Sequence, residues 1–145
     1  MMFWDSSALV PLVVEEAQSK IMTEILEQDG QIAVWAISFI EVQAAVGRKR
    51  RENKLNSPQR RKALELLSDL EKRWSEIGLS DSLKRRAGRH VEVHPIRTGD
   101  ALQLAAAEEA RGESEAVDTM VCLDSRLRSV AEREGFRLLP EKIKD

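Results

Sequence analysis

The stretch Ile32 to Ile37, IAVWAI, restricts the fold more than any other part of the chain. It is apolar throughout, partly β-branched, and too short for a buried helix, so it fits a strand covered on both faces. Strands of that kind belong to parallel sheets, whose crossover connections lay helices over both surfaces. The rest of the chain must then supply further short strands separated by long helical segments.

It does so in a regular alternation. Met2 to Trp4 predicts a first short strand, followed by helices from about Ser6 to Val14 and from about Ala17 to Gln28, with a turn at Asp29-Gly30. Ser38 opens a long helix after the second strand. Apolar residues recur at helical spacing from Phe39 to about Glu52 and from Ser57 to about Trp74, and NKLNSP between them suggests a helical hairpin, with Pro58 in the first turn of its second arm. Ile77 to Leu79 is a small strand or a loop, and Ser80 to about Gly88 a helix capped by Ser80 or Asp81. After HVEVHPIRT, the Ala- and Leu-rich segment Gly99 to Arg111 predicts a well-buried helix with Thr98 as its cap. Met120 to Leu123 is a strand, Ser125 to Glu134 a helix stopped by Gly135, and Phe136 to Leu139 a last strand before Pro140. The expected fold is α/β, a central, mostly parallel sheet flanked by helices on both faces through right-handed crossovers.

The 145 residues fit a single domain, 1–145, with no repeat, low-complexity tract or linker to divide it. Cys122 is the one cysteine and lies in an apolar run, which excludes an internal disulfide framework and predicts a buried small hydrophobe. The N-terminal residues lack a signal-peptide pattern and no run is long enough to cross a bilayer, so a cytoplasmic location without membrane attachment is expected. A net charge of -2 excludes a surface that is basic all over and confines any nucleic-acid contact to a local patch.

Three acids stand where such a sheet concentrates chemistry, at the carboxyl ends of its strands, and a fourth opens a helix that packing on the same sheet would aim at that edge. Asp5 follows the first strand, Glu41 lies in the first turn after the second, Asp100 opens the Ala-rich helix, and Asp124 follows the strand at Met120 to Leu123. Each has an ordinary structural role open to it. Asp5 and Asp124 suit helix N-caps, Ser38-Phe39-Ile40-Glu41 matches a capping box, and Asp100 complements a helix dipole. Taken together, carboxylates converging on one cleft repel each other unless a cation sits among them, and an all-oxygen set selects Mg²⁺ or Mn²⁺. Such a cluster suits phosphoryl transfer through a metal-activated water.

These residues resemble the PIN-domain ribonucleases, and more narrowly the VapC-type toxins of toxin–antitoxin pairs. The resemblance runs from about Phe3 to Leu139 and is carried by WDSSALV around Asp5, ISFIEVQAAVGR around Glu41, TGDALQLAAA around Asp100 and VCLDSRLRSVAEREGF around Asp124, in the family's order. It implies a Mg²⁺- or Mn²⁺-dependent endoribonuclease with Asp5, Glu41, Asp100 and Asp124 as its acidic cluster, of which Asp5, Asp100 and Asp124 hold metal. It also implies cleavage to 5′-phosphate and 3′-hydroxyl ends, a homodimer, and a cognate VapB-type antitoxin. The chain departs from the family at Cys122, where a Thr or Ser is frequent, and at Gln103, where many relatives carry His. Asp118 is a further supporting acid, and Ser6 and Ser38 are hydroxyls placed to orient a carboxylate or touch phosphate.

The densest positive stretch, GRKRRENK, offers Arg48, Lys49, Arg50 and Arg51 to an RNA backbone, or equally a solvated helix end. His90 and His94 flank VEV and are expected at the surface or in a loop, while Trp4, Trp35 and Trp74 are expected in the core. Two other enzyme classes fit less well: a phospho-acceptor receiver domain needs an acid pair at the first strand, and a haloacid-dehalogenase phosphatase needs an acid where Ser7 stands. A PIN-like module that binds RNA or protein without cutting is the non-catalytic alternative.

Overall fold

A computed structural model of the chain describes residues 1–114 and 117–143. The strands are β1 (Met2–Trp4), β2 (Ile32–Trp35), β3 (Ser75–Ile77), β4 (Thr119–Val121) and β5 (Arg137–Leu139). They form one sheet in the order β3-β2-β1-β4-β5 with every neighbouring pair parallel. Seven helices connect them: α1 (Ser6–Val13), α2 (Ser19–Gln28), α3 (Ser38–Arg51), α4 (Ser57–Glu71), α5 (Asp81–Val93), α6 (Thr98–Glu113) and α7 (Ser125–Arg133). The expected α/β architecture with helices on both faces is the one observed.

Strand periodicity divides the core into two layers. Phe3, Ala33, Trp35 and Met120 point to the side covered by α5, α6 and α7, whereas Trp4, Ile32, Val34 and Val121 point to the side covered by α1 to α4. All three tryptophans lie in these layers. On the first side α6 buries Ala101, Ala105, Ala106, Ala107 and Ala110, and the small side chains allow the helix to lie close against the sheet. The helical hairpin also forms: Asn56 and Gln59 exchange 2.8 Å bonds in a capping box, with Pro58 in the first turn of α4.

Several boundaries differ from expectation. β2 ends at Trp35, and β3 shares only Ile77 with the expected stretch and starts two residues earlier, because an edge strand can expose Ser75 and Glu76 and still pair with β2. Thr98 begins α6 rather than capping it from outside. α5 continues past Gly88 to Val93, because its buried face is Leu83, Ala87 and His90, spaced i, i+4 and i+7. His90 is therefore a fully buried helical residue and His94 is the C-cap of the same helix, correcting their assignment to a surface or loop.

The strand order places the site. Counting outward from β1, the chain runs to β2 and β3 on one side and then to β4 and β5 on the other, so the direction of winding reverses between β1 and β4. The loops leaving the carboxyl ends of those two strands diverge and leave a crevice. Residues just after β1 and β4 face it, and those are Asp5 and Asp124.

Candidate active site

Asp5 and Asp124 are both helix caps. Asp5 Oδ2 accepts the Ser7 amide at 3.1 Å at the start of α1, and Asp124 Oδ1 accepts the Leu127 amide at 2.9 Å at the start of α7. Capping occupies one oxygen in each. Asp5 Oδ2 also accepts the Ser7 hydroxyl at 2.5 Å and faces the Cys122 thiol at 3.6 Å, while Oδ1 takes none of these donations. Cap and ligand are thus compatible roles for one carboxylate.

Glu41 does not close the capping box that its spacing with Ser38 suggests, since α3 starts without a side-chain cap. Its Oε1 instead accepts Gln103 Nε2 at 2.5 Å, and that nitrogen also lies 3.4 Å from Ser38 Oγ. Ser38, fully buried, supports the glutamate through Gln103 instead of reaching the cleft itself. Asp100, in the first turn of α6, arrives at the same edge because the helix leading into β4 runs back along the sheet.

The four acids line one cleft of about 260 Å³ with Ser6, Ser7, Val10, Ala45 and Arg48. Burial raises the Asp5 carboxyl above its ordinary range, with Asp124 adding repulsion against the lowering effect of the Ser7 bonds. Burial, then Asp5 and Asp100, push Glu41 up to about 7 despite the Gln103 bond. Asp100 is raised by burial and by Asp124 and Asp5, and lowered in part by Arg126 and Arg97. Three carboxyls destabilised by desolvation and by neighbouring acids are what a divalent cation would relieve, and their all-oxygen donor set fits Mg²⁺ or Mn²⁺.

Asp118 does not join them. It precedes β4, at the opposite end of the strand from Asp124, where its carboxylate accepts the Thr119 hydroxyl at 2.9 Å. The basic stretch also divides. Arg48 reaches the cleft, Lys49 pairs with Glu16 at 2.6 Å, Arg50 donates to the Ser57 hydroxyl at 3.2 Å, and Arg51 lies back along its helix towards Gly47.

Three contributions escaped the sequence reading. Ser7, next to the predicted Ser6, donates its hydroxyl to Asp5 and accepts the Leu123 amide at 2.9 Å, so one oxygen links the loops after β1 and β4. Gln103 is the residue that orients Glu41. Arg97 and Arg126 bring positive charge to Asp100. The Cys122 thiol, whose pKa burial pushes up first and Asp5 second, stays protonated and serves as a weak donor where a hydroxyl is frequent in the family it resembles.

The raised Glu41 predicts a pH effect of definite sign in metal-free protein. The folded state keeps a proton between the ordinary value of 4.5 and about 7 that the unfolded chain has released, so Glu41 contributes stability at low pH that is lost as pH rises through that window. Glu41→Gln should gain stability relative to wild type between about pH 4.5 and pH 7 in chelator. Parallel urea titrations across that range check it, and a constant difference would rule it out.

Comparisons with known proteins follow the same outline. A family model described as PIN domain matches residues 2–133. Ribonuclease VapC45 of Mycobacterium tuberculosis is 25% identical over 150 aligned positions, covering 99% of this chain and 97% of the relative. Among solved structures, Mycobacterium tuberculosis VapC20, described as a Sarcin-Ricin loop cleaving toxin, superposes with a TM-score of 0.67 at 12% identity, covering 90% of this chain and 95% of that one. A toxin–antitoxin complex from Klebsiella pneumoniae contains a chain with a TM-score of 0.59 at 18% identity, covering 87% of this chain and 88% of that one.

Proposed function

This chain belongs to the PIN-domain family, and we propose that it is a Mg²⁺- or Mn²⁺-dependent endoribonuclease, the toxin of a VapBC-like pair. The observation that carries this reading is the single cleft shared by Asp5, Glu41, Asp100 and Asp124 at the carboxyl edge of the sheet. The ribonuclease name of the 25% identical relative supports RNA as substrate.

In this reading Asp5, Asp100 and Asp124 hold the metal. When bound, the ion supplies Lewis-acid polarisation of a phosphodiester and lowers the pKa of an attacking water. Ser7 keeps Asp5 oriented, Gln103 holds one oxygen of Glu41, and the other is assigned the proton of the attacking water. Arg48 meets the RNA backbone at the mouth of the cleft, with Arg97 and Arg126 on the Asp100 side. In-line attack of the water on phosphorus, with the P–O3′ bond breaking and O3′ leaving as a hydroxyl, would give 5′-phosphate and 3′-hydroxyl ends.

An antitoxin partner is proposed from the Klebsiella pneumoniae neighbour, a toxin–antitoxin complex. Exposed Ile37, Ile40 and Leu79 follow β2 and β3 at the site's edge and are open to an apolar partner. A homodimer through the apolar faces of the first and middle helices belongs to the same proposal, and a monomer in sedimentation at micromolar concentration contradicts it. No described helix is long and apolar enough to cross a membrane.

Asp124 separates catalysis from structure. Asn caps helices about as well as Asp, so Asp124→Asn should keep its stability to within a few tenths of a kcal/mol, whereas Asp124→Ala should lose about 1 kcal/mol. Both variants should lose metal-dependent cleavage. Thermal melts beside an assay on structured RNA, with the product ends tested for ligation, check this. Full activity in Asp124→Asn would return the residue to a purely structural role.

A further inference from the structure

Both histidines of the chain meet away from the acid cleft. His90 lies in the last turn of α5 and His94 caps it four residues on, so the two imidazoles share one helix face and stack at 5.8 Å. Glu134, the C-cap of α7, reaches both: its Oε1 lies 2.8 Å from His94 Nε2 and 3.7 Å from His90 Nδ1. The three ligand-capable atoms all fall within 4.8 Å of one another. They are also sheltered, with side-chain exposures of 0% for His90, 8% for His94 and 14% for Glu134.

The surroundings hold these groups as a metal site holds its ligands. His90 Nε2 pairs with the Glu108 carboxylate of α6, which Arg86 and Arg111 flank at 3.7 and 3.9 Å. With its proton on Nε2, His90 turns the lone pair of Nδ1 towards Glu134, and a carboxylate on the far nitrogen is the usual support of a metal-bound imidazole. Glu134 is fixed from behind by Arg111, which donates to its backbone carbonyl at 3.3 Å. A cationic group already stands at this point: Arg89 Nη1 is 3.1 Å from Glu134 Oε1 and 3.3 Å from His90 Nδ1. Arg89 is 55% exposed and can withdraw into water.

We propose that His90 Nδ1, His94 Nε2 and Glu134 form a second cation site, separate from the acid cleft and selective for a Zn²⁺-class ion over Mg²⁺. Two imidazoles and one carboxylate are a borderline-soft set that suits Zn²⁺, whereas Mg²⁺ requires oxygen ligands in octahedral array. Three protein ligands leave a fourth, tetrahedral position for water. On binding, the His94 proton shifts from Nε2 to Nδ1 and Arg89 yields its place. The ion joins the end of α5 to the end of α7. From α5 the chain passes through Pro95, Ile96 and Arg97 into the turn that carries Asp100.

Two histidines give two ring spin systems, so the test is direct. Tag-free full-length protein labelled with ¹⁵N in its imidazoles is titrated with Zn²⁺ in the presence of excess Mg²⁺, which competes at the acid cleft. Both rings should move to metal-bound shifts at one equivalent, and Mg²⁺ alone should move neither. His94→Gln and Glu134→Gln should each abolish the Zn²⁺-bound ring shift at one equivalent, while Asp5→Asn should leave it unchanged. Unmoved rings in the wild type, or Zn²⁺ binding lost in Asp5→Asn and kept in His94→Gln, would overturn the site. Because the wild-type ring shifts are read without any variant, a variant that fails to fold does not blunt the test.

Discussion

Asp5→Asn is expected to reduce metal-dependent RNA cleavage by on the order of 10³-fold while leaving the fold in place. Asparagine keeps an acceptor oxygen for the Ser7 amide, hydroxyl and Cys122 thiol that now address Oδ2, so the cap on α1 survives. What disappears is the charge that burial and Asp124 make costly in the metal-free protein. Its removal should leave thermal stability in chelator equal to or above that of the wild type. It should also abolish the stabilisation by Mn²⁺, which in the wild type amounts to about 2.7 kcal/mol at a hundred times the dissociation constant. Asp100→Asn should behave alike. Cleavage at the wild-type rate in either variant would remove that residue from the metal site.

Ser7→Ala is expected to damage both stability and activity. The hydroxyl donates to Asp5 and accepts the Leu123 amide, and loss of that acceptor strands the amide between the loops after β1 and β4. An orphaned, partly buried donor costs about 1–3 kcal/mol. The same change releases Asp5 to other rotamers, so metal affinity should fall by about 10- to 100-fold, the usual effect of removing a group that orients a ligand. Ser7→Thr, which retains the hydroxyl, should recover affinity. Ser6→Ala should cost little stability, since Ser6 lines the cleft without sharing this bridge. Calorimetric Mn²⁺ titrations of the three variants distinguish the roles, and equal effects at Ser6 and Ser7 would refute the bridge.

Much of the fold is legible because apolar strands buried on both faces are written as unbroken runs. The runs at Met2, Ile32, Met120 and Phe136 all correspond to strands, and the helices between them follow their periodicity. β3 was displaced because an edge strand needs no apolar pattern, and two of its three residues are exposed. α5 runs past its expected end. Gly88, where the expected helix ends, is an open helical position at which a Cβ would meet nothing within 4 Å. His90, moreover, takes an apolar residue's place on the buried face.

Asp5, Glu41 and Asp124 are legible from strand-end logic, since a parallel sheet gathers the junctions after its strands at one edge, whereas Asp100 depends on where the start of α6 packs. That logic does not reach long-range pairing. Gln103 and Glu41 lie 62 positions apart and meet only because α3 and α6 converge at that edge. Ser6 and Ser7 are indistinguishable until the phase of α1 is known. Asp118, a supporting acid in the sequence analysis, is separated from Asp124 by β4, which carries the two to opposite ends of the sheet.

In the proposed function Asp5, Asp100 and Asp124 hold a metal that promotes RNA cleavage, and Glu41 in the same cleft takes the proton of the attacking water. The most direct measurement is Mn²⁺ titration of purified, partner-free protein by calorimetry, with cleavage of structured RNA followed on the same sample as the metal is added. The account predicts saturable binding with cleavage rising along the same isotherm, and both lost in Asp5→Asn and Asp100→Asn while the fold persists. RNA binding without Mn²⁺ binding or cleavage at any metal concentration would contradict it and leave a non-catalytic module in its place.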